Sequence, residues 1–295
     1  MEELFSKLAG KNFLLNLFIL GRPWNGVIIG LIAILIYLVQ GGKDFVSICF
    51  IFLAFFLQYF GGAVVNDLSD FFADSLNMPF RPLEQKVVTL NQAKLLAIFA
   101  YIFSFVLALV FNFYLFLGIL AFFIFTIVYS VKPFRLVSKG FFGNLSLGVV
   151  SIFIPSFTGL ILATFPFNIL SPIFGFIVFF TLFFSFFYLI KDFKDLQGDK
   201  ASNKITFALK HGVNFTVKLS MLGASFFFFL ASYCFYLLVP SDLVIFSAIL
   251  FLILFLYFES ILLKKEDYVG VFFKTRILFM FFLLSLFIIV IYVDF

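Results

Sequence analysis

Nine apolar runs, each long enough to cross a bilayer, bound what this 295-residue chain can become. A hydrocarbon core about 30 Å thick takes roughly 20 apolar residues of α-helix per crossing. Cutting the sequence at charges, Gly, Pro and Asn places crossings at about 24–40, 45–66, 95–112, 114–131, 145–165, 171–190, 216–238, 243–262 and 275–293. The third and fourth are split at Phe111–Phe113, because one helix through both would be too long for a bilayer. The expected fold is all-α and polytopic, one domain over residues 1–295. With 64% hydrophobic and 12% charged residues, no soluble domain of this size would hide its apolar surface. The N-terminal MEELFSKLAGK leads into further spans and not to a small-residue cleavage site, so it does not read as a secretory signal. Cys49 and Cys234 both lie in apolar runs and read as small buried hydrophobes, not as a disulfide or a metal knuckle.

Basic residues set the expected orientation. With the N-terminus in the cytoplasm, nineteen of the twenty Lys and Arg fall on the cytoplasmic face and only Lys43 on the other. Nine spans then put the C-terminus on the opposite side. Topology accounts for the +5 net charge, and no nucleic-acid partner is needed.

The acids are as unevenly placed. Asn66 to Asp74 reads NDLSDFFAD, with Asp67, Asp70 and Asp74; Asp192 to Asp199 reads DFKDLQGD, with Asp192, Asp195 and Asp199. Each triplet is spaced i, i+3, i+7, which lines three carboxylates on one stripe if the helix continues. Each also ends an outward-to-inward span, the second and the sixth. That placement suggests a parallel repeat of four spans, roughly 12–140 and 141–265, with a final helix at 275–293. The two stripes would then face each other across a central cavity, where they repel unless cations lie between them. Oxygen ligands without His or Cys suit Mg²⁺, which shares its remaining positions with water and phosphate. Arg22, Arg81, Lys132, Arg135 and Lys194 lie on the same rim and would clamp a diphosphate. A solvated helix end is the plainer reading of one such cluster, but matched clusters at matched points of a repeat argue against it.

The motif set resembles the UbiA superfamily of intramembrane prenyltransferases. NDLSDFFADSLNMPFRP is similar to its N-D-x-x-D-x-x-x-D and N-x-P-x-R-P elements, DFKDLQGD to its D-x-x-D-x-x-G-D, and YSVKPFRL to its Y-S-x-x-P-x-R/K-L. The resemblance covers nearly the whole chain. It implies nine helices around a cavity and two Mg²⁺ ions. Asn66, Asp67, Asp70 and Asp74 would hold one ion, and Asp192, Asp195 and Asp199 the other. Arg22, Arg81, Lys132, Arg135 and Lys194 would bind the diphosphate of an isoprenyl donor. The ring of Tyr129 would face the allylic cation, Asp195 or Asp199 would take the acceptor's proton, and Asn25 would reach the cavity. Two stretches depart from the family pattern. RPLEQK has Glu84, Gln85 and Lys86 where R-P-[IL]-x-x-G is usual, and KITFALKHG lacks the usual Pro.

The 55 phenylalanines read mostly as lipid-facing filler, His211 as solvated, Ser130 and Asn144 as turn and cap residues, and Trp24 as an interfacial anchor. GFFGNLSLGV and DFKDLQGDKASNK look closer to the branch of digeranylgeranylglyceryl phosphate and chlorophyll synthases than to the 4-hydroxybenzoate or haem O enzymes. The expected donor is geranylgeranyl diphosphate and the expected acceptor geranylgeranylglyceryl phosphate. Chlorophyllide or a quinone precursor is the alternative, with a terpene cyclase behind them. A cation-coupled transporter would carry its carboxylates near mid-span, and the D-G-x-x-A-R pattern of CDP-alcohol phosphotransferases is absent.

Overall fold

The computed structural model describes residues 10, 12–202, 204–264 and 268–294. Lys7, Lys11 and Lys265, which contribute to the basic bias, lie outside them. The elements are helical throughout: α1 (Phe13–Leu20), α2 (Pro23–Val39), α3 (Phe45–Asn77), α4 (Leu90–Phe111), α5 (Phe113–Ser130), α6 (Phe141–Ala163), α7 (Pro172–Ala201), α8 (Phe207–His211), α9 (Val213–Leu238), α10 (Asp242–Lys264) and α11 (Tyr268–Asp294). Among the described residues eight helices are long and apolar enough to cross a membrane, and α1 with α2, bent by 45°, makes a ninth.

Local chemistry fixes the boundaries. Asp44 caps α3 by accepting from the Ser47 hydroxyl at 2.6 Å and the Ser47 amide at 2.7 Å, and these bonds, the hydroxyl's first, hold its exposed carboxyl below the usual aspartate range. Thr89 and Gln92 form a reciprocal capping box that starts α4 at Leu90, several residues before the expected 95. Lys94 stays exposed on that first turn, so a single charge did not end the helix. The expected turn between the third and fourth crossings falls at Asn112. Its extended backbone (φ −161°, ψ 137°) ends α4, and its side chain caps α5 by accepting from Tyr114. The helix α11 begins at Tyr268, not near 275, which brings Arg276 onto the helix.

Helices α3, α5, α6, α7, α9, α10 and α11 follow one another around a circuit, and α11 returns to touch α2. The backbones of α2 and α6 come so close that a Cβ on Gly159 would stand 2.2 Å from the Ala33 carbonyl, so no larger residue fits there. Helix α4 packs outside α3 and shows Leu95, Ile98, Phe99, Ile102 and Phe103 outward, an apolar surface that only lipid covers without cost. The phenylalanines are not all filler. Phe180, Phe183, Phe228, Phe251 and Phe279 are each at most 2% exposed and form one aromatic core, with ring centroids 5.1 Å apart between Phe183 and Phe228 and 4.7 Å between Phe228 and Phe251. Cys49 and Cys234 are half-buried free thiols, and His211 is exposed beside Phe207 and Phe215.

Candidate active site

Helix α3 is 33 residues long, about 50 Å of rise, and outruns a 30 Å hydrocarbon layer. Its surplus turns carry the first acidic motif. The helix stays α-helical through it, so Asp67, Asp70 and Asp74 do share a stripe, and they are 2%, 6% and 8% exposed. The second motif departs from expectation. Helix α7 tightens to 3-10 geometry over Tyr188–Asp195 and resumes as α at Leu196, so Asp192, Asp195 and Asp199 do not lie on an α-helical stripe. Just ahead of the tightened segment, Ser220 of α9 bonds the Phe186 carbonyl at 2.9 Å.

Both motifs open onto one cavity. Of the residues singled out from the sequence, Arg22, Asn25, Asn66, Asp70, Asp74, Arg81, Tyr129, Asp192, Lys194, Asp195 and Asp199 line it. Asp67 stands behind the wall, taken by Arg22 and by Arg81 at 3.1 Å. Arg135 is not in the wall; its guanidinium bonds Asp70. Lys132 does not join the site; with Pro133 and Phe134 it forms the exposed face of the turn after α5. Ser130 and Asn144 are buried, and Ser130 accepts from Asn66 at 3.4 Å, so Ser130 is part of the site's frame and not a turn residue in solvent.

Every carboxylate of the two motifs has a basic partner. Arg81 also bonds Asp74, Lys191 bonds Asp192, and Lys194 bonds Asp195 at 2.7 Å. Lys204 joins the two motifs, 3.3 Å from Asp70 and 3.4 Å from Asp199. Burial opposes the charge on Lys204, yet those two carboxylates outweigh it and hold the ammonium pKa above the ordinary lysine value. Two of the arginines are held in the left-handed region, Arg22 at φ 48° and Arg135 at φ 39°. A non-glycine residue resists that backbone, and in both cases the guanidinium ends on an α3 aspartate.

Asn77 and Gly198 bring the motifs together. Asn77 donates to the Asp195 carbonyl at 3.0 Å and accepts from the Gly198 amide at 2.8 Å. Among the described residues no three carboxylates converge closely enough to enclose an ion unaided. The donor set still fits a hard cation. It consists only of oxygens, and Asp199 Oδ2 is buried with no hydrogen-bond partner.

The UbiA prenyltransferase family model matches residues 27–286 of this chain. The chain belongs to the UbiA prenyltransferase family. It is an integral membrane prenyltransferase, with the all-helical fold that the family shares. It is similar to the digeranylgeranylglyceryl phosphate synthase of Methanoregula boonei, 30% identical over 210 residues, 71% of this chain and 73% of that one. A solved structure described as digeranylgeranylglyceryl phosphate synthase in membranes is 25% identical, with a TM-score of 0.65, covering 95% of this chain and 99% of the other. A UbiA homolog from Archaeoglobus fulgidus, solved bound to DMAPP and Mg²⁺, shares the fold with a TM-score of 0.70 at 17% identity, over 92% of this chain and 97% of the other.

Within this UbiA-family cavity the sequence reading missed Tyr59, Lys191, Lys204 and Arg276, all of which line the wall, and Asn77, which clips it. The three cations were counted among loop charges, where the positive bias of the whole face hid them. Lys204 had one signal, five residues beyond Asp199 in the stretch that departs from the family pattern. That stretch is held by a parallel bridge between Ile205 and Lys139 and by the Gly140 amide on the Ile205 carbonyl at 3.1 Å.

Proposed function

We propose that this chain transfers a geranylgeranyl group from geranylgeranyl diphosphate to the free hydroxyl of geranylgeranylglyceryl phosphate. In this reading two Mg²⁺ ions are held between α3 and α7. The observation that carries it is the convergence of carboxylates from both helices on one cavity that also holds Arg22, Arg81, Lys191, Lys194 and Lys204. The named relatives support the acceptor, and the Mg²⁺-bound Archaeoglobus homolog supports the metal.

Asn66, Asp67, Asp70 and Asp74 would hold one ion and Asp192, Asp195 and Asp199 the other, although Asp67 is committed to arginines here. Bound there, the ions would neutralise the diphosphate and make it a better leaving group. Arg22, Arg81, Lys191 and Lys194 bind its oxygens and stabilise the charge that grows as the C1–O bond breaks. Arg135 positions Asp70. Tyr129, in the cavity wall, turns its ring to the allylic cation, while Phe122 and its apolar neighbours keep out the water that would quench it. The acceptor oxygen bonds to C1, and its proton passes to Asp195 or Asp199. The Lys and Arg bias supports a cytoplasmic face for this end of the bundle.

The test is incubation with Mg²⁺, labelled geranylgeranyl diphosphate and one acceptor at a time: geranylgeranylglyceryl phosphate, chlorophyllide, 4-hydroxybenzoate or none. The expected product is the doubly prenylated glyceryl phosphate. Product only with another acceptor, or a cyclised product with none, overturns the assignment. Asp67→Ala and Asp195→Ala should each keep less than about a tenth of wild-type transfer.

A further inference from the structure

Among the described residues six cations line the cavity, and five of them, Arg22, Arg81, Lys191, Lys194 and Lys204, are bonded to aspartates. The sixth, Arg276, has no carboxylate partner among the described residues. Its guanidinium is held by Asn25 Oδ1, and its Cζ lies 5.7 Å from the centre of the Phe272 ring. Asn25 in turn donates from Nδ2 to the Tyr59 hydroxyl at 2.8 Å. A guanidinium has five N–H donors, and the bond to Asn25 uses one, fixing the fork while leaving most of its donors for a ligand. The Tyr59 oxygen accepts from Asn25, so its own hydrogen also remains to donate.

This trio is set apart from the acidic site. Tyr59 precedes Asp67 by eight residues on α3, about 12 Å of helix rise away from the acidic end. Asn25 stands in the first turn of α2, three residues after the Arg22 that bonds Asp67. The place is therefore deeper in the same cavity. A permanent charge facing apolar surroundings without a counter-ion is costly unless an anion completes it.

We propose that Arg276, Asn25 and Tyr59 form the subsite for the phosphate of the acceptor lipid, and so select a phosphorylated alcohol over a neutral one. The assignment rests on the ether-lipid reading above. The arrangement matches it chemically: the donor's diphosphate goes to the end where carboxylates and cations alternate, and the acceptor's single phosphate goes to the one cation that lacks a carboxylate. The two anions are kept apart, and the acceptor's hydroxyl is left between them to meet C1.

The test compares geranylgeranylglyceryl phosphate with geranylgeranylglycerol as acceptors for wild type, Arg276→Gln and Arg276→Lys in detergent with Mg²⁺ and geranylgeranyl diphosphate. Losing a charge-assisted pair lowers kcat/KM for the phosphorylated acceptor on the order of 10- to 100-fold. In Arg276→Gln that loss should fall on acceptor KM, with donor KM within about threefold of wild type and activity on geranylgeranylglycerol little changed. Arg276→Lys should recover part of the loss, because a point charge replaces the fork. Equal losses on both acceptors, or a raised donor KM, overturn the subsite while the prenyl acceptor stands. Wild-type transfer to a phosphate-free acceptor alone overturns the ether-lipid reading and the subsite with it.

Discussion

Asn77, the last residue of α3, receives the Gly198 amide of α7 on its side-chain oxygen at 2.8 Å. This single bond, with its companion from Asn77 to the Asp195 carbonyl, sets the distance between the two acidic segments. Glycine is required at 198 for a steric reason: a Cβ there would stand 2.5 Å from Asn77 Nδ2 and 2.6 Å from the Ala73 carbonyl. Gly198→Ala must push α7 away from α3. Transfer should fall at least about tenfold, and the Mg²⁺ concentration giving half-maximal rate should rise, since positioning errors of about an ångström have such effects. Asn77→Ala should act in the same direction, and the double variant should be no worse than the poorer single one. Independent, multiplying losses in a double-mutant cycle would show that the clip does not position the site.

Lys204 stands between Asp70 and Asp199, where the proposed function places a metal ion's field. Removing its charge leaves the buried Asp199 carboxylate without a basic partner among the described residues, and Asp70 with Arg135 alone. Lys204→Met should therefore melt lower than wild type without divalent ions, by about 5 °C or more. Millimolar Mg²⁺ should raise the variant's melting temperature more than it raises that of wild type, because the ion takes over the missing counter-charge. Equal Mg²⁺ shifts in a thermal melt would refute the shared role.

Lys86 occupies the position where the family pattern has glycine, and its backbone is left-handed at φ 58°. Its side chain is exposed, so substitution removes little packing. The strain relieved by glycine, about 1 kcal/mol or more, exceeds the extra freedom that glycine gives the unfolded chain by about 0.5 kcal/mol. Lys86→Gly should raise the melting temperature by about 1–2 °C and leave transfer unchanged. A lower melting temperature would mean that Lys86 makes a contact which outweighs its backbone.

The crossings and the first acidic stripe were legible because both follow from local rules: apolar length for the first, and i, i+3, i+7 spacing on an unbroken helix for the second. The geometry of the second motif was not legible. It lies beside a bond from Ser220, 34 residues beyond Phe186 and on another helix, which no local spacing announces. Arg276 and Lys204 were hidden by the very bias that gave the orientation, since a face rich in Lys and Arg gives no reason to single out two of them. Lys132 and Arg135 share one turn, yet only Arg135 bonds an aspartate, and the left-handed backbone that turns it inward has no sequence signature of its own. The individual phenylalanines could not be sorted for a related reason. Lipid and protein core accept the same side chain, so only packing separates Phe183, which is 0% exposed, from Phe103, which faces outward.

Glu259 of α10 is an acid buried away from the cavity whose placement bears on it. It is 0% exposed, its Oε1 lies 2.9 Å from Ser220 Oγ, and its Oε2 has no partner. The same Ser220 oxygen lies 2.9 Å from the Phe186 carbonyl. One hydroxyl hydrogen cannot serve both acceptors, so the second hydrogen belongs to the carboxyl group, and the chain runs from Glu259 through Ser220 to Phe186. Phe186 lies just ahead of the 3-10 segment that carries Asp192 and Asp195. Glu259→Gln supplies an N–H in place of that O–H and should keep the melting temperature within about 2 °C and most of the transfer activity. Glu259→Ala leaves a cavity and an unsatisfied Ser220, a loss of about 2 kcal/mol or more, or about 5 °C in a melt. Its remaining activity should need more Mg²⁺, because Ser220, no longer fixed by Glu259, holds Phe186 and α7 less firmly. Equal damage from Gln and Ala would mean that an ionised Glu259 is what the structure requires, and would break the proposed hydrogen-bond relay.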